Sequence, residues 1–252
     1  IISMGEFGLL FAIPLWLQNV EGLTPVSSGL VLLWLAGGAF LASGVGGAMS
    51  GKLPAVRAVQ IGVLFELIGV AGIALVATTG GGWWPVAPFL LLYGIGVGLA
   101  TAQLTGVIMV DVDAEKNGQA SGLQSTVRQV GSALGIAVIG TTLFQATQNI
   151  MLSKLDAIDL PAAAKPFFTD EVKNNLTNAV VDSAGGAIPK LNGILEAQYH
   201  MPASVAQQIT EAAGSSFSEG ARWAALSAAV FLLIGFASTF RLTSRNHAEG
   251  NH

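Results

Sequence analysis

VAPFLLLYGIGVGLATAQLTGVIMV, residues 86–110, runs for twenty-five positions without one charged side chain. A bilayer's hydrocarbon core is about 30 Å thick and takes roughly twenty apolar residues of helix. Lipid offers backbone groups no hydrogen-bond partners, so a segment of this kind crosses only as a helix. Five further stretches are long and apolar enough to cross in the same way: residues 1–17, 26–49, 58–78, 118–144 and 221–240. The expected fold is an all-α membrane protein with a six-helix transmembrane bundle, its helices here lettered A to F in chain order.

Composition agrees. Charged residues make up 10% of the chain, against about 25% in soluble domains, and mean hydropathy is +0.63. The 32 glycines are spread through the apolar stretches, as in membrane helices that approach closely. Gly44, Gly46, Gly47 and Gly51 on B, and the pairs Gly118/Gly122 and Gly131/Gly135 on E, are the expected packing points. With no cysteine, disulfides and thiolate metal sites are excluded, and no metal and no cofactor are expected. A net charge of −4, dispersed along the chain, gives no reason to expect a nucleic-acid partner. His200, His247 and His252 lie outside the helices, and no metalloprotease, Walker or nucleophile-elbow pattern occurs, so an enzyme is not expected. Ile1 already stands inside an apolar run, without a signal-peptide n-region; the expectation is a piece of a longer protein.

Loop charges set an orientation. Lys52 and Arg57 (B–C), Lys116 (D–E) and the tail residues Arg241 and Arg245 fall on one side, while the A–B and C–D loops carry no Lys or Arg. The positive-inside rule then puts the C-terminus in the cytoplasm of a multi-pass cell-membrane protein. Trp16, Trp83, Trp84 and Trp223 collect at the outer interface in that arrangement. The expected organisation is 1–147 for helices A to E, 148–218 for a long extracellular loop, and 219–252 for the last helix and its tail. Within the loop, 169–183 and 203–213 read as short amphipathic helices. A solvated cap is the simpler reading of it, and substrate gating or partner binding the alternative.

Three ionisable residues lie deep in the apolar stretches: Glu6, Glu66 and Arg128. At 1.5 Å per residue each falls near mid-bilayer, where ionisation costs about 2.5–3.5 kcal/mol on insertion scales. Such groups face a bundle interior or a wet cavity. Ser121, Ser125, Arg128 and Ser132 recur at helical spacing and form one polar stripe, with Gln124 a turn from the Arg and Gln129 beside it. The stripe would line a pathway in which Arg128 holds an anionic group; the alternative is an Arg that snorkels or locks two helices. Glu6 and Glu66 are the proton-coupling candidates, because a carboxyl moved between dry and wet surroundings changes its protonation. Each also has a plain reading as a hydrogen-bonded interhelical group. Pro14 frees a backbone carbonyl on the Glu6 helix and is the candidate hinge. On D, Gly94, Gly98, Thr101 and Thr105 share a face with Gln103 beside it; this face lines a cavity or only packs.

Pro14-Leu15-Trp16-Leu17-Gln18 with Leu23-Thr24-Pro25 and Gly29-Leu30, and Gly118 to Leu123 continuing through Arg128-Gln129-Val130-Gly131 to Ala137, Gly140 and Thr141, resemble the C-terminal half of a major facilitator superfamily transporter. The narrower resemblance is to the fourteen-helix drug:proton antiporter branch, which also suits a long outer loop before the last helix. It implies one half of a two-bundle fold around a midplane cavity, with A, B, D and E facing the cavity and C and F peripheral. In the B–C loop Pro54 and Ala55 stand where the family's basic signature usually carries an acid. The implied function is proton-coupled efflux of drug-like or hydrophobic compounds. Its cavity candidates are Arg128, Gln124, Ser125, Ser132, Gln103 and Thr101, and its partners are membrane lipid, a small-molecule substrate, protons and the missing N-terminal half. The alternatives are an importer or metabolite exporter binding an anionic substrate, and a non-transporting membrane protein that recruits a partner through its outer loop.

Overall fold

The computed structural model describes residues 1–48, 54–109, 112–158, 165, 168–199 and 201–240. Lys52, Arg241, Arg245, Asp111 and all three histidines lie outside the described residues, so the loop charges expected to set orientation are only partly placed. The α-helices among the described residues are α1 (Ile2–Asn19), α2 (Pro25–Ala48), α3 (Ala55–Val76), α4 (Ala87–Met109), α5 (Asn117–Asp156), α6 (Asp170–Asp182), α7 (Leu191–Tyr199) and α8 (Ala203–Thr239).

Among the described residues, five helices are long and apolar enough to cross a membrane: α2, α3, α4 with the turn before it, α5 and α8. α1, where the first span is expected, has the length but carries Glu6, Gln18 and Asn19 in its 18 residues. It is instead the most enclosed helix, with Leu9, Ala12, Ile13, Trp16 and Leu17 all buried.

The packing follows an interleaved plan. α4 lies along α2 and α3, α1 lies along α5 and α8, and α3 meets α8 across the middle. Each run of three long helices (α1 to α3, then α4, α5 and α8) therefore places its first helix between the second and third of the other run, an arrangement expected of an inverted internal repeat. Glycine makes the close contacts possible. A Cβ on Gly94 or Gly98 would strike the α2 backbone at Leu35 or Ala39, and one on Gly135 would strike the α1 backbone at Met4. The expected packing glycines fare unevenly. A Cβ on Gly44, Gly118 or Gly122 would meet nothing within 4 Å, and the α2 contact is made at Gly38 instead. The surroundings of Gly47, and Gly51 itself, lie outside the described residues.

Between the last two spans the chain is mostly helical. α5 has 40 residues and α8 has 37, so at 1.5 Å per residue they are about 60 and 55 Å long, well beyond a 30 Å hydrocarbon core. The segment 203–213 is not a separate helix but the first turns of α8. α6 falls within 169–183: Thr169 caps it by accepting from the Val172 N–H, and acidic Asp170 and Glu171 suit its first turn. It ends in a Schellman motif, with the N–H of Gly185 on Val180 O and that of Ala184 on Val181 O. α7 has no counterpart in the sequence reading.

These extensions form a packed cap. Met151, Leu155, Leu176, Val180, Leu191, Leu195, Val205, Ile209 and Phe217 are buried in one apolar cluster that is continuous with the bundle core. Lys154 joins α5 to α8, 2.7 Å from both Glu219 and Ser215. Trp16 is part of this junction rather than of an interfacial belt. It is buried, and its indole N–H donates to Ser218 Oγ at 3.1 Å. Trp83 and Trp84 stack at 3.8 Å between ring centroids, with Trp84 and Trp223 exposed.

Candidate substrate cavity

Glu6 and Arg128 line the same small cavity. α1 supplies Ile2, Ser3 and Glu6; α4 supplies Ala100, Thr101, Leu104 and Thr105; α5 supplies Gln124 and Arg128. Its volume of about 30 Å³ is room for roughly two waters. The walls meet here because α1 packs on α5 through Gly135 while α4 reaches the same level from the other side. Gln124 Nε2 donates to Thr105 Oγ1 at 3.1 Å and ties α5 to α4 at the rim.

Glu6 is buried and has no hydrogen-bond partner for its carboxyl among the described residues, so its polar neighbours are those of the cavity. Arg128 lies over the Phe7 ring, 5.8 Å from its centroid, a cation–π distance. No carboxylate lies within 4.0 Å of it among the described residues, so a bidentate Glu6–Arg128 pair is not formed in this arrangement.

The remaining candidates divide. Thr101 and Gln124 are on the cavity wall. Ser125 is exposed and is not on the cavity wall. Ser132 is buried and spends its hydroxyl on Arg128 O at 2.8 Å. Gln103 donates to Gly46 O at 3.1 Å and braces α4 against α2. Pro14 lies inside an unbroken α1. On α4 the expected face splits by function: Gly94 and Gly98 pack on α2, while Thr101 and Thr105 line the cavity.

Glu66 is fully buried on α3, and neither carboxyl oxygen has a partner among the described residues. It faces α4, where a Cβ on Gly96 would press on Glu66 itself. It does not pair with Arg128. Tyr93 is wholly buried, and its hydroxyl donates to the main-chain carbonyl of Glu6 at 3.2 Å. Tyr93 was not singled out from the sequence as part of this group, because only packing brings α4 between α1 and α3. Arg222 was missed too: at the edge of an apolar stretch it reads as interfacial, yet its Nε donates to Ala74 O at 2.8 Å and fastens α8 to α3.

A family model described as Major Facilitator Superfamily matches residues 1–136. The chain belongs to the Major Facilitator Superfamily. That match takes in all of α1 to α4 and the cavity-lining part of α5, so every wall of the cavity lies within the superfamily region. The chain is 28% identical over 257 residues to the multidrug resistance protein Stp of Mycobacterium tuberculosis, which covers 99% of this chain and 44% of that protein. It is 29% identical to a tetracycline resistance determinant of Streptomyces rimosus, over 96% of this chain and 68% of that protein. The multidrug efflux pump LfrA of Mycolicibacterium smegmatis is 28% identical over 93% of this chain and 42% of its own length. The chain thus spans under half of two of these relatives and about two thirds of the third. It is a multi-pass membrane protein of this superfamily and not an enzyme.

Proposed function

We propose that this chain is part of a secondary active transporter that exports drug-like or hydrophobic compounds against inward proton flow across the cell membrane. The observation that carries the proposal is the shared cavity of Glu6 and Arg128, in a chain whose relatives are named for drug resistance and efflux. A carboxyl beside a wettable hollow can load and release a proton as the hollow opens to either side. Glu66 belongs to the same proposal as a second coupling candidate, and Pro14 as the place where α1 bends. Arg128, Gln124 and Thr101 would contact substrate; Ser125, Ser132 and Gln103 would do so only after the helices move.

The orientation proposed is the cap outside and the C-terminus in the cytoplasm. The cap sits at the ends of α1 and α3, which carry no basic loop residue, while Arg57 and Lys116 mark the opposite end. The N-terminal half proposed as partner would cover the apolar side chains that α2 and α5 leave exposed, among them Leu33, Phe40, Leu123 and Val127.

The test is Glu6→Gln in the full-length transporter. Proton-linked efflux is expected to fall to background with insertion and folding unchanged; efflux at the unaltered rate removes Glu6 from the mechanism. Arg128, with no carboxylate partner, also favours a second reading in which the exported or imported compound is itself anionic. Loss of anion binding in Arg128→Lys with drug tolerance intact would select that reading.

A further inference from the structure

Two opposite charges line one small cavity without meeting in it. Glu6 and Arg128 share a hollow of about 30 Å³, and Glu6 is buried. A buried carboxylate is costly unless a cation or hydrogen-bond donors pair with it, so an ionised Glu6 would draw the guanidinium onto itself. Arg128 nevertheless lies over the Phe7 ring, 5.8 Å from its centroid. Ser132 Oγ donates to the main-chain carbonyl of Arg128, which braces the helix and not the guanidinium. Among the described residues no hydrogen bond or ion pair holds the guanidinium, and the ring is what seats it.

Little else is charged at this level. α2 carries no ionisable side chain, and neither do residues 223–239 of α8; Arg222 spends its Nε on Ala74 O. On α4 the titratable group is Tyr93, whose hydroxyl is on the main-chain carbonyl of Glu6. α3 has Arg57 in its first turn and Glu66, which is buried against Gly96 of α4 and is not on the cavity wall. The other ionisable residues of α5, Lys154 and Asp156, lie in the cap, and the α-amino group of Ile1 stands at the N-cap of α1. Arg128 is therefore the cationic side chain on the cavity wall that could close on Glu6. Phe7 follows Glu6 directly, so one turn of α1 carries both the carboxyl and the ring that draws the cation aside. A guanidinium stacked on a ring keeps its in-plane N–H donors free.

We propose that Phe7 is a positioning residue, whose ring seats the Arg128 guanidinium and keeps it from closing onto the Glu6 carboxylate. The inference rests on the reading of Glu6 as the coupling carboxyl: while Arg128 stays on the ring, Glu6 is free to trade its proton with cavity water. The attraction of a ring for a guanidinium multiplies the seated population by about 3- to 30-fold. Without the ring the guanidinium moves to Glu6, the pair favours the ionised carboxyl, and the two side chains close the hollow between them.

The experiment labels the purified full-length transporter with dicyclohexylcarbodiimide, which couples to protonated carboxyl groups in apolar surroundings, across a range of pH. Peptide mass spectrometry separates Glu6 from Glu66 and Glu21. In Phe7→Leu, which keeps apolar bulk without the ring, the Glu6 labelling midpoint is expected to fall by about 0.5–1.5 pH units. Phe7→Tyr, which keeps the ring, is expected to hold the parent midpoint. In an Arg128→Gln background Phe7→Leu should move nothing, because Phe7 acts through the guanidinium. An unchanged midpoint in Phe7→Leu overturns the proposal, and so does an equal shift in Phe7→Tyr or in the Arg128→Gln background, either of which would mark a packing role alone. Glu6 that labels in Arg128→Gln but not in the parent means the pair is already closed, and Glu6 that labels in neither does not meet the cavity; both overturn it. Labelling needs no transport, so full efflux by Glu6→Gln beside the expected midpoints would reject the coupling role and leave the seat standing.

Discussion

Two glycines six residues apart on α2 make opposite demands, and one substitution at each separates them. A Cβ on Gly38 would run into the α4 backbone at Leu91 O and come within 2.9 Å of Ile95 N, whereas one on Gly44 would meet nothing within 4 Å. Both sit in the interior of the same helix, so Gly→Ala brings each the same gain in helix propensity, about 0.8–1.0 kcal/mol. At Gly38 the backbone of α4 has to retreat, and overpacking of this kind costs about 1–3 kcal/mol. Gly44→Ala should therefore stabilise by nearly 1 kcal/mol, and Gly38→Ala should range from neutral to about 2 kcal/mol destabilised. At roughly 2–4 °C per kcal/mol for a chain of this size, the two variants separate by about 2–12 °C in melting temperature. Size-exclusion recovery after heating in detergent reads the difference directly. If Gly44→Ala melts below Gly38→Ala, the α2–α4 contact has been placed on the wrong face and the interleaved packing falls with it.

Two further outcomes follow from the outer end of the molecule. Ala184 holds φ at 52°, the left-handed position of the α6 Schellman motif, where a Cβ costs roughly 1–2 kcal/mol. Ala184→Gly should raise the melting temperature, and a lowered one would mean that the motif does not form. Burial pushes the Glu21 carboxyl above its ordinary value, partly offset by the backbone N–H groups of Gly82 and Gly80. The native state then binds this proton more tightly than the unfolded chain, so the contribution is present below the unfolded pKa and is lost as pH rises through the folded one. Glu21→Gln should accordingly be more stable than the parent at pH 7 and indistinguishable from it at acid pH. Thermal melts of both proteins across that range check the sign, and a destabilised Gln variant at pH 7 refutes it.

The spans were legible because lipid solubility is written into composition: α2, α3 and α4 lie where the long apolar runs lie. The cap was not, because its helices are short and amphipathic and bury their apolar faces on one another rather than in lipid. α5 and α8 illustrate the difference. Their membrane parts stand out by hydropathy, but Thr147, Met151 and Leu155 continue a one-sided stripe that hydropathy alone does not register as the same helix. Among site residues, Glu6, Arg128, Gln124 and Thr101 could be found because an ionisable or polar group in an apolar helix is conspicuous. Tyr93 could not, since a tyrosine in such a helix is ordinary until packing sets its hydroxyl on the main chain of Glu6. Ser132 shows the reverse failure: its spacing put it on the Arg128 stripe, but its hydroxyl is turned back onto its own helix.

The interleaved plan also identifies what must break for the two packing groups to move. α1, α5, α8 and the cap are one body: α5 and α8 pass unbroken into the cap, Lys154 and Glu219 pair at 2.7 Å, and Asn19 Nδ2 donates to Ala184 O. α2, α3 and α4 form the other body, held by backbone contacts at glycine. Among the described residues the polar links between them include Tyr93 to Glu6 O, Gln124 to Thr105, Thr79 to Ser218, and Arg222 to Ala74 O. At about 0.5–1.5 kcal/mol each, the four together are worth roughly 2–6 kcal/mol. The lower part of that range, up to about 4 kcal/mol, leaves a second arrangement populated at 0.1% or more and lets a proton or a substrate select it. The longest of the four is the one from Tyr93 to the Glu6 carbonyl, at 3.2 Å. Motion of one body against the other would therefore release the Tyr93 hydroxyl early.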